Sequence, residues 1–461
     1  MAESKDHLLG LVRNNQPMSG RQQFRLTVLL AIPAIMAQIA SVILQYIDAS
    51  MVGNLGANPS ASIGLVSTST WIFMGFAMAV CSGFSVQVAH RCGAKDYEGA
   101  RELMRQGFTS TFLFGTLLAV IGLSISGPLP GWLGGGAEIN TDASAYFRIF
   151  CLFIPFMAVG FCSNAMLQAS GNMKVPSMLY VAMAVLDVIF NYLFIYVLGW
   201  GVPGAAMGTG LAELIMMIMS LSYVTIKSKE LSIVGERRSF MPTSRSLKDA
   251  FGITGPLWLQ NIVIRGAFIV STVIVAPLGA IAIAANSFAI TAESFCYLPG
   301  YGLEESATTL VGQSLGAGRK DVARRFARIS ISLGALLMTL LGVLMFIFAT
   351  QLMDMLSNDP EVIALGAKVL RIEAFAETFY AVSMVACGCC VGAGDTMSPT
   401  VINFSSMWIV RIGLALILTP KLGLVGYWIA MCVELNVRGI LFLVRIRGGR
   451  WLEKRFVRQE A

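Results

Sequence analysis

The chain has 461 residues, of which 56% are apolar and only 13% charged, with a net charge of +7 at neutral pH. A soluble domain carries about 25% charged residues, and the mean hydropathy here is +0.71. These figures exclude a disordered chain, a secreted disulfide scaffold, a coiled coil and an ordinary soluble enzyme, and leave a polytopic α-helical membrane protein.

Residues 1–25 form a polar arm, read as cytoplasmic rather than as a signal peptide, because no apolar core precedes a small-residue cleavage site. Twelve apolar spans follow, at 26–52, 61–88, 106–128, 143–168, 175–198, 203–226, 249–276, 281–312, 329–352, 363–390, 399–419 and 423–444. Breakers punctuate them: Gly53 and Gly56 after the first, Gly199 to Pro203 after the fifth, Pro176 and Pro399 near helix starts. A polar linker, 227–248, separates an N-lobe (26–226) from a C-lobe (249–444), and a basic tail covers 445–461. The arm, the linker, the tail and the loops after spans two, four and eight hold 26 Lys and Arg, against Arg148, Lys368, Arg371 and Lys421 on the other side. The positive-inside rule therefore puts both termini in the cytoplasm. The same topology accounts for the basic balance without a nucleic-acid partner.

The sequence repeats itself at a spacing of 223 residues. Pro33 matches Pro256, Leu55-Gly56-Ala57 matches Leu278-Gly279-Ala280, and Gly93-Ala94 matches Gly316-Ala317. Ala100-Arg101 matches Ala323-Arg324, Arg148 matches Arg371, Gly171 matches Gly394, and Pro176 matches Pro399. Each repeat holds six spans, an even number, so both enter the membrane from the same side. The expected fold is all-α: twelve transmembrane helices in two parallel six-helix lobes around a central cleft, which is transporter architecture.

A charged side chain at mid-membrane costs about 2.5–3.5 kcal/mol on insertion scales, so each one asks for a reason. In the first lobe these are Asp48 on span one, Asp187 and Asn191 four apart on span five, and Thr209 and Glu213 four apart on span six. Four-residue spacing puts each pair on one helical face, and a rise of about 1.5 Å per residue puts all five at similar depth in the outer half. They read either as a hydrogen-bond network fastening helices or as a site for a proton or Na⁺, with Asp48, Asp187, Asn191 and Thr209 as the metal ligands in the second case. The second lobe carries Glu293, Glu373, Glu377, Arg265 and Arg411, which read equally as internal salt bridges or as a substrate site. Glu434 and Arg438, four apart, read as an intrahelical pair, and Glu304 and Glu305 after Pro299-Gly300 are candidates to line the cleft. The repeat sets Ser271 opposite Asp48 and Val410 opposite Asp187, so the first-lobe cluster is not duplicated. The run Cys387, Cys389, Cys390 reads as packing rather than a metal site. With only His7 and His90, and no HExxH or GxxxxGK[ST], the chain is read as no enzyme and needs no cofactor beyond the coupling ion.

The pattern Pro33 … Asp48-Ala49-Ser50-Met51-Val52-Gly53-Asn54-Leu55-Gly56 resembles the multidrug and toxic compound extrusion (MATE) family. So do Thr308-Thr-Leu-Val-Gly-Gln-Ser-Leu-Gly-Ala-Gly318, Gly392-Ala-Gly-Asp-Thr396 and Gly204-Ala-Ala-Met-Gly-Thr209, and the resemblance runs over about residues 25–445. It implies an antiporter that exports amphipathic or cationic molecules against H⁺ or Na⁺ by alternating access; the expected location is the plasma (inner) membrane, among membrane lipids, where a monomer suffices for two lobes and one cleft. Asp48 resembles the family's first-helix aspartate, and Asp187, Asn191 and Thr209 its N-lobe cation site. The span-five order is exchanged, Asp before Asn. The acidic position of span seven falls near Ile264 beside Arg265, and that of span ten near Tyr380 with Glu377 one turn earlier, which points to coupling in the N-lobe. The alternative transport reading is a lipid-linked oligosaccharide flippase, which would want Arg265 and Arg411 free for a pyrophosphate. A membrane-embedded enzyme lacks an intramembrane His, and a non-transporting scaffold would tolerate Asp48→Asn.

Overall fold

The computed structural model describes residues 4–236 and 239–453, and among these every regular element is helical. A nine-residue helix α1 (Lys5–Arg13) precedes the first spanning helix, α2 (Gly20–Gly53). Then come α3 (Ala57–Gly93), α4 (Tyr97–Ile125), the single turn α5 (Leu129–Trp132), α6 (Ala137–Ala169), α7 (Lys174–Tyr192) and α8 (Gly201–Ser222). The second half contains α9 (Ser244–Val275), α10 (Ala280–Gly316), α11 (Lys320–Asp354), α12 (Pro360–Glu373), α13 (Glu377–Gly392), α14 (Met397–Phe404), α15 (Gly413–Leu422) and α16 (Leu424–Gly448). Each of the twelve expected spans is occupied by one of these helices or by a broken pair. Ten are long and apolar enough to cross a membrane, and eleven when α12 and α13 count as one. The twelfth, α16, has 25 residues, about 37 Å at 1.5 Å each, and carries Glu434 and Arg438 within it.

Local chemistry sets the helix ends. Ser19 and Gln22 cap the start of α2 reciprocally: Ser19 N–H donates to Gln22 Oε1 (2.9 Å) and Gln22 N–H to Ser19 Oγ (3.2 Å). Asp96 accepts from Gly99 N–H at the start of α4 (2.8 Å). The repeat reappears as backbone geometry. Gly56 and Gly279 have φ of 118° and 93°, and Gly171 and Gly394 have 88° and 78°. Both pairs are 223 apart, at turns in a region where a Cβ is strained. The repeat-related arginines also act alike: Arg148 bonds Ser126 (3.4 Å) and Arg371 bonds Thr350 (3.1 Å), each at the end of an earlier helix.

Two features depart from the reading by sequence. The arm is not simply polar: α1 buries Leu8, Leu9 and Val12 against its own unit. Span ten is broken, with α12 and α13 meeting at 59°, although neither proline nor glycine lies between Leu370 and Tyr380. The chain turns there through a short bond from Ala376 N–H to Glu373 C=O (2.7 Å).

The chain forms two compact units, Ala40–Trp258 and Met1–Ile39 with Leu259–Ala461. In the first, α6 is the central helix, packed by α3, α4 and α8, with α7 on α8. In the second, α13 has the equivalent place among α10, α11 and α16. Each unit also takes the opening half of a spanning helix that continues into the other. The first half of α9 lies on α3, where Thr254 Oγ1 donates to Ala79 C=O (3.1 Å). The first half of α2 lies on α10, where Gly302 leaves no room for a Cβ beside the Ile35 backbone.

Candidate ion-coupling site

The four-residue rhythm of α7 puts Asp187 and Asn191 on its inward face, 0% and 2% exposed. Asn191 Nδ2 donates to Asp187 Oδ2 (2.9 Å) and to Asp48 Oδ1 of α2 (3.1 Å). One amide thus joins two carboxyl groups from different helices. The Asp48 and Asp187 carboxyls also lie against each other, and the Thr209 side chain of α8 reaches Asp187. Glu213, one turn further along α8, stands within electrostatic reach of Asp187. All five first-lobe residues therefore belong to one neighbourhood. Asp187 and Asn191 close its buried end, while Asp48, Thr209 and Glu213 are half-buried.

Two acceptor oxygens in this cluster, Asp187 Oδ1 and Asn191 Oδ1, are buried and have no hydrogen-bond donor. Buried polar atoms are ordinarily paired. Two carboxyls in contact in a low-dielectric setting repel unless a proton or cation lies between them. The donor set is two carboxyls, an amide and a hydroxyl, all oxygen donors, which suits a proton or a hard monovalent cation. Among the described residues no group of three or more His, Cys, Asp or Glu is arranged to hold a metal.

Two neighbours carry no warning in the sequence. Gly208 of α8 sits directly against Asn191, and a Cβ there would overlap Asn191 Oδ1 and its backbone. Tyr146 of α6 faces Asp48 and Asp187 within electrostatic reach. Gly208 lies inside the quoted Gly204–Thr209 run, but only tertiary packing shows why it is small. Tyr146 sits in an ordinary aromatic stretch. Tyr196 Oη also ties the π-helical extension of α7 to Met51 C=O (2.7 Å), which fixes the end of α2 that carries Asp48.

The second-unit candidates divide into two sets. Glu434 is held by Arg411 (Nε–Oε2, 2.9 Å) and by Arg438 (Nε–Oε1, 2.7 Å). The intrahelical Glu434–Arg438 pair is thus real but shared, and Arg411, on the π-helical segment Ser405–Ile412, is consumed by it. Arg265 faces Tyr297 and Tyr301 of α10. Glu293 is 5% exposed, and Glu373 and Glu377 are 0% exposed on either side of the α12–α13 bend. All four carboxyl oxygens of Glu373 and Glu377 are buried without a donor. Glu305 accepts from Gln38 Nε2 (3.1 Å), and Glu304 packs on Gly388 of α13. Glu304 and Glu305 are thus placed within their own unit, against α13 and the first half of α2.

The MatE family profile matches residues 33–193 and 256–417, one copy in each repeat and 223 residues apart at their starts. The chain belongs to the MatE family. As a MatE member it is an integral membrane transporter and not an enzyme. It is 26% identical over 438 residues to a probable multidrug resistance protein NorM of Thermotoga maritima, covering 93% of each chain. It is 26% identical over 451 residues to the multidrug resistance protein MdtK of Yersinia enterocolitica, covering 94% of this chain and 97% of that one. In fold it is similar to a MOP superfamily transporter from Pyrococcus furiosus (TM-score 0.89, 20% identity, 98% of this chain and 100% of that one). It is also similar to the Vibrio cholerae MATE transporter VcmN in its bent form (TM-score 0.86, 19% identity, 94% and 99%). The twelve-helix, two-lobe architecture of this MatE chain is thereby established.

Proposed function

We propose that this transporter is a secondary antiporter of the inner membrane that exports amphipathic or cationic small molecules in exchange for H⁺ or Na⁺ by alternating access. The observation that carries the reading is the Asn191 amide bridging Asp48 and Asp187 beside two buried acceptor oxygens that lack donors. A proton or Na⁺ between the carboxyls would relieve their repulsion and give those oxygens a partner. Half-buried Asp48 receives the ion, and buried Asp187, with Asn191 and Thr209, retains it. Occupation then draws α2, α7 and α8 together, which is how ion binding alters the unit that must release substrate. The multidrug resistance names of the NorM and MdtK relatives support drug-like substrates. The positive-inside distribution supports cytoplasmic termini. The buried, donor-free Glu373 and Glu377 support a second protonatable position in the C-lobe, occupied in the same cycle. The flippase alternative loses support because Arg411 is bound by Glu434 and is not open to a pyrophosphate. One monomer contains every group this cycle needs.

The test is efflux of a fluorescent organic cation from proteoliposomes under an imposed proton gradient or an imposed Na⁺ gradient. Transport driven by one gradient and absent without it supports antiport and names the ion. A folded protein that moves no cation under either gradient contradicts the reading.

A further inference from the structure

Away from the coupling cluster, the unit Ala40–Trp258 contains a groove of about 550 Å³. Its walls include Phe108, Phe112 and Thr109 of α4, Leu221 and Thr225 where α8 ends, and Phe240 of the linker. Its two hydroxyls are already engaged by their own helices, Thr109 on Arg105 C=O (3.3 Å) and Thr225 on Leu221 C=O (2.7 Å). The groove therefore offers an occupant hydrocarbon contact and no directional polar partner. It opens beside a strip of α4 whose apolar side chains stay exposed, Leu113 at 59% and Leu117 at 53% among them. The linker wall also exposes apolar groups, Val234 at 69% and Phe240 at 50%. Such a surface is stable when it meets lipid chains rather than water.

Exposed basic residues follow the lining residues along the chain. Lys227 follows the lining residue Ile226 and is exposed, as are Arg245 and Lys248 at the start of α9, shortly after Phe240. The linker's Glu236 contributes no free negative charge, because Arg101 and Arg105 both pair with it. Those two ion pairs fasten the linker to α4 within two turns of Phe108 and so anchor the preceding Ile233 and Val234 as part of the wall.

We propose that this groove is a binding site for an anionic phospholipid, with one acyl chain against Phe108, Phe112 and Leu221 and the headgroup among Lys227, Arg245 and Lys248. The site is independent of the ion-coupling reading: it rests on other residues and needs no transport to be observed. Native mass spectrometry of the delipidated full chain, titrated with phosphatidylglycerol or with phosphatidylcholine of the same chains, tests it. The expected result is one retained phosphatidylglycerol, held about tenfold or more tighter than phosphatidylcholine, since each basic residue at a membrane surface adds attraction for anionic lipid. Leu221→Trp fills the groove and should lose that lipid. The triple change Lys227→Glu, Arg245→Glu, Lys248→Glu leaves the groove open and should abolish the preference. An unchanged melting temperature is the folding control for both, and the wild-type comparison of the two lipids needs no variant. Equal retention of both lipids by the wild type, or an unaltered phosphatidylglycerol adduct in folded Leu221→Trp, overturns the proposal. Displacement of the lipid by inorganic phosphate alone also overturns it, since the headgroup would then bind without the groove.

Discussion

Asn191 is the residue on which the first-lobe cluster turns, because its single amide group donates to both Asp48 and Asp187. Removing a buried donor to charged groups costs about 1.5–3 kcal/mol. Asn191→Leu should therefore lower gradient-driven export by about tenfold or more while the protein still folds, measured as initial efflux rates in proteoliposomes. Gly208→Ala acts on the same contact from the other helix. Its Cβ overlaps the Asn191 backbone, so α7 must move off α8, at about 1–3 kcal/mol of overpacking. Thermal unfolding in detergent should show the loss, and transport should fall with it. The sequence displays the chemistry of this cluster well, because carboxylates are rare in lipid and four-residue spacing fixes a common helical face. It does not display Gly208 or Tyr146, whose roles exist only once α6, α7 and α8 pack together.

Among the helices, the twelve spans are readable because sustained apolar runs have one physical outcome in a bilayer, a helix with its backbone bonds closed. The break between α12 and α13 was not readable, since Leu370 to Tyr380 contains no breaker and the turn is held by tertiary surroundings. Helix α1 was missed for a related reason. Nine residues with charges at both ends look solvated until Leu8 (0% exposed), Leu9 (3%) and Val12 (1%) are seen to be buried. Arg319 Nη1 also donates to Gln16 C=O (2.6 Å) just beyond the helix. Each buried Leu or Val stabilises docking by about 1.5–3 kcal/mol, so Leu8→Asp should release α1. Amide hydrogen exchange over residues 5–13 should then rise well above wild type, whereas no rise would mean the helix is held by its polar bonds alone. The linker has a pH term of its own. Arg101 and Arg105 hold the Glu236 carboxyl below the ordinary range, near 4.3 in free peptides. A depressed carboxylate contributes stability that is complete above the unfolded value and is lost as pH falls through the folded one. Protection of the linker amides over 228–236, taken against the intrinsic exchange rate at each pH, should thus be high at neutral pH and fall only in strong acid. In Glu236→Gln it should be low at neutral pH too.

Across the whole molecule, the repeat was legible because it lies in backbone requirements: the same turns demand glycine at Gly56 and Gly279 and at Gly171 and Gly394. The packing repeats with it, α6 and α13 each at the centre of a unit. The Asp48–Asp187 pair does not repeat, since Ser271 and Val410 stand at the equivalent positions. The energy is sufficient: one charge crossing 100 mV yields about 2.3 kcal/mol, and two support a ~10³-fold gradient of a neutral substrate. In the proposed cycle an ion held at Asp48 and Asp187 is linked to release of the substrate from the same unit. That linkage is tested most directly by adding an exported cation to the purified protein in weakly buffered detergent and recording the H⁺ or Na⁺ released. Release is expected from the wild type and none from Asp187→Asn, with the variant folded and still binding the cation. Equal release from both proteins would contradict it and place the coupling ion elsewhere.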